Sequence, residues 1–228
     1  MINHIFQILI PTINRADLLN SSLEFYLESF PNTIIRVLDN GNQNILEHER
    51  IDVIKSTENL GVARSWNELL HLCFLDSEFA IVLNDDIKLL SNEEELLSFC
   101  KMAKKDKFYF YNDDNRFQSF LLTRSIFDKV GDFDTIYYPA YYEDDDYFAR
   151  IKMNKIEYQS IEELRYFETE VSGSIKKDPS LNNNFFVNRS IYLEKWGSKK
   201  NPWSRPYNIV SFDDDGDENL FRDYISKI

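Results

Sequence analysis

The stretch FAIVLNDD (79–86) runs five apolar residues directly into an amide and two carboxylates. A strand apolar at every position is covered on both faces, as in a parallel sheet lying between two layers of helices. Residues 5–10 (IFQILI) repeat the pattern and stop at Pro11. Residues 34–38 (IIRVL) form a third apolar run, closed by the turn signature Asp39-Asn40-Gly41, and 51–55 (IDVIK) a fourth, leading to Asn59-Leu60-Gly61. Between them lie helical patterns. Asn14 is placed to cap a helix opening at Arg15, with Leu19, Leu23, Tyr26 and Phe30 on one face. A second helix over 62–75 carries Ala63, Trp66, Leu69, Leu70 and Cys73. The order strand, helix, strand, strand, helix, strand predicts a mostly parallel α/β sheet. Ligands of such sheets bind beyond the carboxyl ends of the strands, where Asp39, Asn59 and Asn84-Asp85-Asp86 all fall.

The second half is less regular. Ser91 is placed to cap a helix over 92–104, strands are expected at 107–111 and 117–123, and a short helix at 124–130. EDDDYFARI (143–151) reads as an acidic helix start, followed by strands near 155–160 and 164–168. Helices near 188–196 and over 217–227 complete the chain. The expected organisation is one α/β domain over 1–175, with a small C-terminal helical lobe over 176–228 packed on it.

Composition narrows the function. With 228 residues, 43% hydrophobic, and 18 Phe and 13 Tyr against 6 Gly, the chain has the makings of a packed core rather than of disorder. A net charge of −13 argues against nucleic-acid binding, which needs a basic face. Cys73 and Cys100, the only cysteines, fall in helix interiors and read as reduced core thiols. The opening MINHIFQILIPT lacks a basic leader and cleavage site, and no run approaches the roughly 18 apolar residues of a membrane span. A cytoplasmic protein, at most peripheral to a membrane, is expected.

Two acidic clusters could do chemistry. Asp85 and Asp86, at the end of a buried strand, offer the hard oxygen ligands that suit Mg²⁺ or Mn²⁺. An ion held there beside a diphosphate would neutralise charge on a leaving group; alternatively, one Asp caps a turn and the other is solvated. The run Glu143-Asp144-Asp145-Asp146 concentrates four carboxylates, so at least one must be hard to ionise or have a cation beside it. Such a carboxylate can serve as general base, or the run is simply a helix N-terminus favoured by the macrodipole. The run from Asp213 to Glu218 fails the spacing of a calcium loop. His4, His48 and His71 have no zinc spacing, and neither a nucleophile elbow nor a phosphate-cradling Gly-Lys-Ser/Thr loop occurs.

Taken in order, these segments resemble the inverting family 2 glycosyltransferases of the GT-A fold, across roughly residues 5–174. ILIPTINR (8–15) looks like that family's opening strand and Pro-Thr-x-Asn-Arg turn, which places Pro11, Thr12, Asn14 and Arg15 at the nucleotide sugar. VLDNGN (37–42) resembles the segment whose Asp, here Asp39, contacts the base. NLGVARSWN (59–67) is similar to the Asn-x-Gly segment near the nucleotide, with Asn59, Gly61, Arg64 and Asn67 as its contacts. VLNDDI (82–87) stands where the family has Asp-x-Asp, so the resemblance gives Asn84 and Asp85 to the donor and Asp86 to the metal. GDFD (131–134) with YEDDDYFARI (142–151) resembles the acceptor-side pair of motifs, which implies Asp144 as base beside Glu143, with Asp145 pointing elsewhere. YLEKWG (192–197) resembles an element whose Lys, here Lys195, reaches the diphosphate. The family's usual His near the metal is replaced within FETEVSGS (167–174), leaving Glu168 or Glu170 as the substitute ligand.

The resemblance thus implies Mn²⁺ or Mg²⁺, a UDP-, dTDP- or GDP-linked sugar donor, and a glycan or other hydroxyl acceptor. The competing enzyme class, a sugar-phosphate nucleotidyltransferase, expects a Gly-rich loop after strand one, but no Gly precedes Gly41. A non-catalytic glycan- or nucleotide-binding domain is the remaining alternative.

Overall fold

A computed structural model describes residues 4–114, 116–168 and 184–196. Seven strands form one sheet in the order β3-β2-β1-β4-β7-β6-β8. Four are those anticipated above: β1 (His4–Thr12), β2 (Ile35–Asp39), β3 (Ile51–Lys55) and β4 (Ser77–Leu83), all mutually parallel where they pair. β6 (Lys107–Phe110) and β7 (Ser119–Thr123) form an antiparallel hairpin docked on β4, and β8 (Glu157–Ser160) adds in parallel beyond β6. A separate two-stranded ribbon pairs β5 (Ile87–Leu89) with β9 (Tyr166–Glu168).

The period of two in the buried strands sorts their side chains between two cores. Phe6, Ile8 and Ile10 of β1, with Phe79, Ile81 and Leu83 of β4, face α1 (Ala16–Ser29) and α3 (Glu93–Met102). Leu9, Ala80 and Val82 face the opposite layer. That layer contains α2 (Gly61–Cys73), α4 (Arg124–Val130), α5 (Glu143–Met153) and α6 (Phe185–Trp196). The uninterrupted apolar run at 79–83 is therefore two alternating faces superimposed. Cys73 and Cys100 are both buried free thiols, one in each core, and burial pushes each up to about 12.

Two expected caps are replaced. Asn14 sits outside α1 with φ 57, and the Ala16 N–H is instead met by Gln43 Oε1 at 2.7 Å, from a loop 27 residues on. Asn92, not Ser91, caps α3 through a reciprocal capping box with Glu95, while the Ser91 hydroxyl donates to the Glu163 carbonyl at 2.6 Å. β5 was not anticipated because three residues exist as a strand only through pairing with 166–168. The Tyr26 hydroxyl fixes it from beneath, donating to Ile87 O and accepting from Leu89 N, both at 3.1 Å. Among the described residues no helix is long and apolar enough to cross a membrane. The expected helix over 217–227 lies outside the described residues, as does Glu170.

Candidate active site

Strand order reverses between β1 and β4, which opens a crevice beyond their carboxyl ends. Thr12 closes its floor: its hydroxyl donates to Asp85 Oδ2 at 2.7 Å. Burial pushes the Asp85 carboxyl up to about 6; the Thr12 hydrogen bond and Arg15 oppose the rise, and the Asp86 charge adds to it. Pro11 and Thr12 lie in register with Leu38 and Asp39 of β2, so the expected donor residues of the two strands are neighbours. Arg15 is fully buried.

Asp39 is also fully buried, and its carboxylate is occupied by its own loop. It accepts from Gly41 N at 2.9 Å, from Gln43 N at 2.6 Å and from Gln43 Nε2 at 3.0 Å. Beside the base contact that the resemblance implies, Asp39 has a shaping role: it folds the 40–43 loop, whose Gln43 then caps α1.

The same loop holds the next segment. Asn40 accepts from Leu60 N and donates to Ser65 Oγ, each at 2.9 Å, while Asn59 accepts from Gly61 N. Gly61 has φ 74, and a Cβ there would stand 2.8 Å from the Pro139 carbonyl. Only glycine lets the 138–139 backbone approach this closely, and that carbonyl takes the Val62 N–H at 2.8 Å. Asn67 is buried and clamps the Phe133 backbone with both ends of its amide, at 2.7 and 2.9 Å. Arg64 lies on the exposed face of α2, 3.9 Å from Glu68.

At the metal side, Asn84 N donates to Gln118 O at 3.0 Å, and Asp86 follows at the turn into β5. Ile87 pairs with Glu168 across the ribbon, so Asp86 and Glu168 flank the same ladder rung. No group of three His, Cys, Asp or Glu able to hold a metal occurs among the described residues. A cage built only from protein therefore does not fit. One or two carboxylates completed by diphosphate oxygens do fit, and that is the usual way Mg²⁺-type ions are held at nucleotides.

The acceptor-side segment enters through two left-handed residues, Tyr141 (φ 77) and Tyr142 (φ 75), immediately before α5. Each non-glycine residue held there costs about 1–3 kcal/mol, and together they turn the chain so that Glu143 to Asp146 start a helix. The four carboxylates then diverge. Asp146 is fully buried and accepts from Trp196 Nε1 at 3.0 Å, Tyr137 OH at 3.2 Å and Arg150 Nε at 2.9 Å. Lys195 Nζ stands 2.7 Å from Asp146 and 2.8 Å from Asp134. The diphosphate contact expected of Lys195 is accordingly corrected: the ammonium is buried in a neutral ionic cluster that fastens α6 to α5. Burial pushes the Asp134 carboxyl up, but the Lys195 ammonium outweighs this and draws it down.

Glu143 is buried, and burial followed by the Asp144 charge pushes it well above the usual carboxylate range. One of its oxygens is buried with no hydrogen-bond partner among the described residues, as suits a neutral acid rather than a base. Asp144 is half-buried and accepts from Asp145 N at 2.9 Å; burial raises it, while backbone amides and Arg116 hold it down. Burial and the neighbouring Asp144 charge raise Asp145 well above its ordinary value.

These parts form one rim. The 40–43 loop touches 60–65, Gly61 receives the 138–139 backbone, and that backbone leads into α5. On the other side, the loop between β6 and β7 contacts Asn84, through Gln118, and Phe148 in the middle of α5, through Arg116. Sequence reasoning missed Gln43, Asn40 and Arg116. None belongs to a motif, and only their distant partners reveal their roles.

No family model and no curated protein matches the chain in sequence. Solved structures do match. A mannosyltransferase of Pyrobaculum calidifontis, in complex with GDP-Man and Mn²⁺, aligns with a TM-score of 0.58 at 13% identity, over 89% of this chain and 67% of its own. S. aureus TarS aligns with a TM-score of 0.55 at 12% identity, over 88% of this chain and 41% of its own. GalNAc-T7, with UDP, GalNAc and Mn²⁺, gives 0.56 at 11% identity, over 97% of this chain and 58% of its own. The chain therefore spans between about two fifths and two thirds of the length of these structures. At such identities the likeness is one of fold: the mostly parallel α/β sheet that the order of strands predicts, in the GT-A arrangement that the resemblance implies.

Proposed function

We propose that the protein is a glycosyltransferase that moves a sugar from a nucleoside diphosphate to a glycan or other hydroxyl acceptor, with inversion at the anomeric carbon. The observation that supports this reading is that the β6–β7 loop contacts both acidic segments: Gln118 O accepts from Asn84 N, two residues before Asp86, and Arg116 lies on the Phe148 ring, four residues after Asp144. The fold shared with glycosyltransferases solved with nucleotides and Mn²⁺ supports it.

In this reading the crevice floored by Thr12 and Asp85 receives the nucleotide, with Pro11, Asn14, Arg15, Asn59 and Asn84 around it. Asp86, with Glu168 beside it, would hold the Mn²⁺ or Mg²⁺, which supplies charge neutralisation on the diphosphate. Asp144 accepts the acceptor hydroxyl proton as that oxygen bonds the anomeric carbon. The bond from that carbon to the diphosphate oxygen breaks in the same step, and its electron pair leaves with the nucleoside diphosphate. Glu143, kept neutral by burial, adds no competing negative charge beside the base.

The test is a panel of UDP-, dTDP- and GDP-sugars with and without Mn²⁺, read by thermal shift and by release of nucleoside diphosphate. A donor at a hundredfold excess over Kd stabilises by about 2.7 kcal/mol. A panel giving neither stabilisation nor release with any donor would end the proposal.

A further inference from the structure

Four consecutive carboxylates at 143–146 call either for a carboxyl that is hard to ionise or for a cation beside them, and described residues supply cations on more than one side. Arg150 and Lys195 are both engaged with Asp146, on the buried side of α5. Arg116 comes from outside the helix. Its guanidinium carbon lies 4.4 Å from the centre of the Phe148 ring and 5.4 Å from that of Phe110, and Asp113 Oδ1 holds Nη2 at 2.9 Å. Its side chain is only 12% exposed, so this position is built rather than accidental. Phe148 stands four residues after Asp144 and three after Asp145, and helix residues at those spacings share a face about 5–6 Å apart. A guanidinium on the Phe148 ring therefore lies on the face of α5 that carries both carboxylates, and its charge acts on both.

We propose that Arg116 is a positioning residue for the general base: seated on Phe148, its guanidinium supplies the fixed positive charge facing Asp144 that keeps this half-buried carboxyl ionised, ready to take up the acceptor proton. The inference rests on the base role given to Asp144 above. Burial raises Asp144 and Asp145 alike, and Arg116 acts downward on both. Apart from Arg189 of α6, whose charge acts on the neighbouring Tyr142, the other groups around the pair are acids or phenols. They are Glu143 and Asp146 on α5 itself, Tyr142 ahead of it, and Tyr192 from α6. None of these supplies positive charge to Asp144. The aromatic seat also explains why the cation is an arginine: a planar guanidinium stacks on a ring while still facing a carboxylate, which an ammonium does less well.

The experiment compares wild type, Arg116→Lys and Arg116→Met in pH profiles of kcat/KM. Removing the charge raises the proton affinity of Asp144, so the acid limb of Arg116→Met moves up by about one pH unit, with activity returning at alkaline pH. Below the limb that is about a tenfold loss. Arg116→Lys keeps the charge and should hold the limb within a few tenths of a unit. Should Arg116→Met fail to fold, Arg116→Gln makes the same comparison. Carbon-13 NMR titration of the Asp144 and Asp145 carboxyls in donor-free protein should shift in the same direction without any turnover. An acid limb and carboxyl titration unmoved by loss of the charge, in an enzyme that transfers sugar, would overturn the role of Arg116. A wild type that transfers nothing, with carboxyls that do respond to Arg116, would instead locate the failure in the proposed function.

Discussion

Thr12 and Asp85 are joined by a 2.7 Å hydrogen bond that bridges the ends of β1 and β4, where the strand order reverses. The bond favours the ionised form of a carboxyl that burial has raised to about 6 from 3.8. A raised folded-state value means that the native protein binds more protons than the unfolded chain between about pH 4 and 6. Stability from this group is therefore greatest below about 3.8 and is lost as pH rises through about 6. Thr12→Val should extend that loss to higher pH, costing about 1–3 kcal/mol at pH 7 and much less below pH 4. Urea unfolding across pH in the presence of EDTA measures this. Parallel curves for the two proteins would show that the bond does not act on Asp85.

Asp39 accepts three hydrogen bonds from Gly41 and Gln43, and Gln43 in turn caps α1. Asp39→Ala should lower stability by about 2–4 kcal/mol, since it strands several donors at once. Loss of donor affinity would follow from loop disorder. A variant with wild-type stability and weakened nucleotide binding would return Asp39 to direct contact with the base.

Asp86→Ala should abolish transfer and remove the Mn²⁺-dependent part of donor binding, while the protein stays folded. Isothermal calorimetry with and without Mn²⁺ decides it. An unchanged Mn²⁺-dependent affinity would move the metal to other residues.

Asp144→Asn should bind donor normally and turn over about 10²–10⁴-fold more slowly, the usual range for loss of a general base. The product anomer, read by proton NMR, should be opposite to that of the donor. Retention of configuration would refute the single displacement.

Lys195→Met removes the ammonium between Asp134 and Asp146 and should cost about 3–5 kcal/mol, as breaking a buried pair does. Donor affinity of the protein that remains folded should be unaltered. Normal stability with weakened diphosphate binding would restore the donor contact that the sequence implies.

The frame was legible because burial on both faces leaves a mark in the sequence. β3 (Ile51–Lys55) and α4 (Arg124–Val130) fall where the pattern places them, and β4 is extended by only two residues. Chain order and strand ends likewise placed Asp85 and Asp86 beyond the carboxyl end of β4, whereas Asp144 came from the resemblance alone. Side-chain direction was not legible. Asn67 and Lys195 stand in segments that resemble nucleotide-binding motifs, yet each turns inward, to Phe133 and to Asp146. The spacing of a motif fixes neither rotamer nor partner. The cap on α1 is supplied by Gln43, and no local rule links a glutamine to a helix 27 positions earlier.

The clasp around Asp146 also sets a timetable for biosynthesis. Its Lys195 and Trp196 partners lie about fifty residues downstream, so a nascent chain holds Asp146 with Arg150 and Tyr137 alone until that distance has been translated. At about 5–20 residues per second the interval lasts several seconds. During it α5 carries a carboxylate cluster without its full counter-charge, and the first turn of that helix is the last part of the rim to acquire its native environment. A ribosome stalled before residue 196 would expose an incompletely neutralised helix to proteases, while the β1–β4 platform is already assembled.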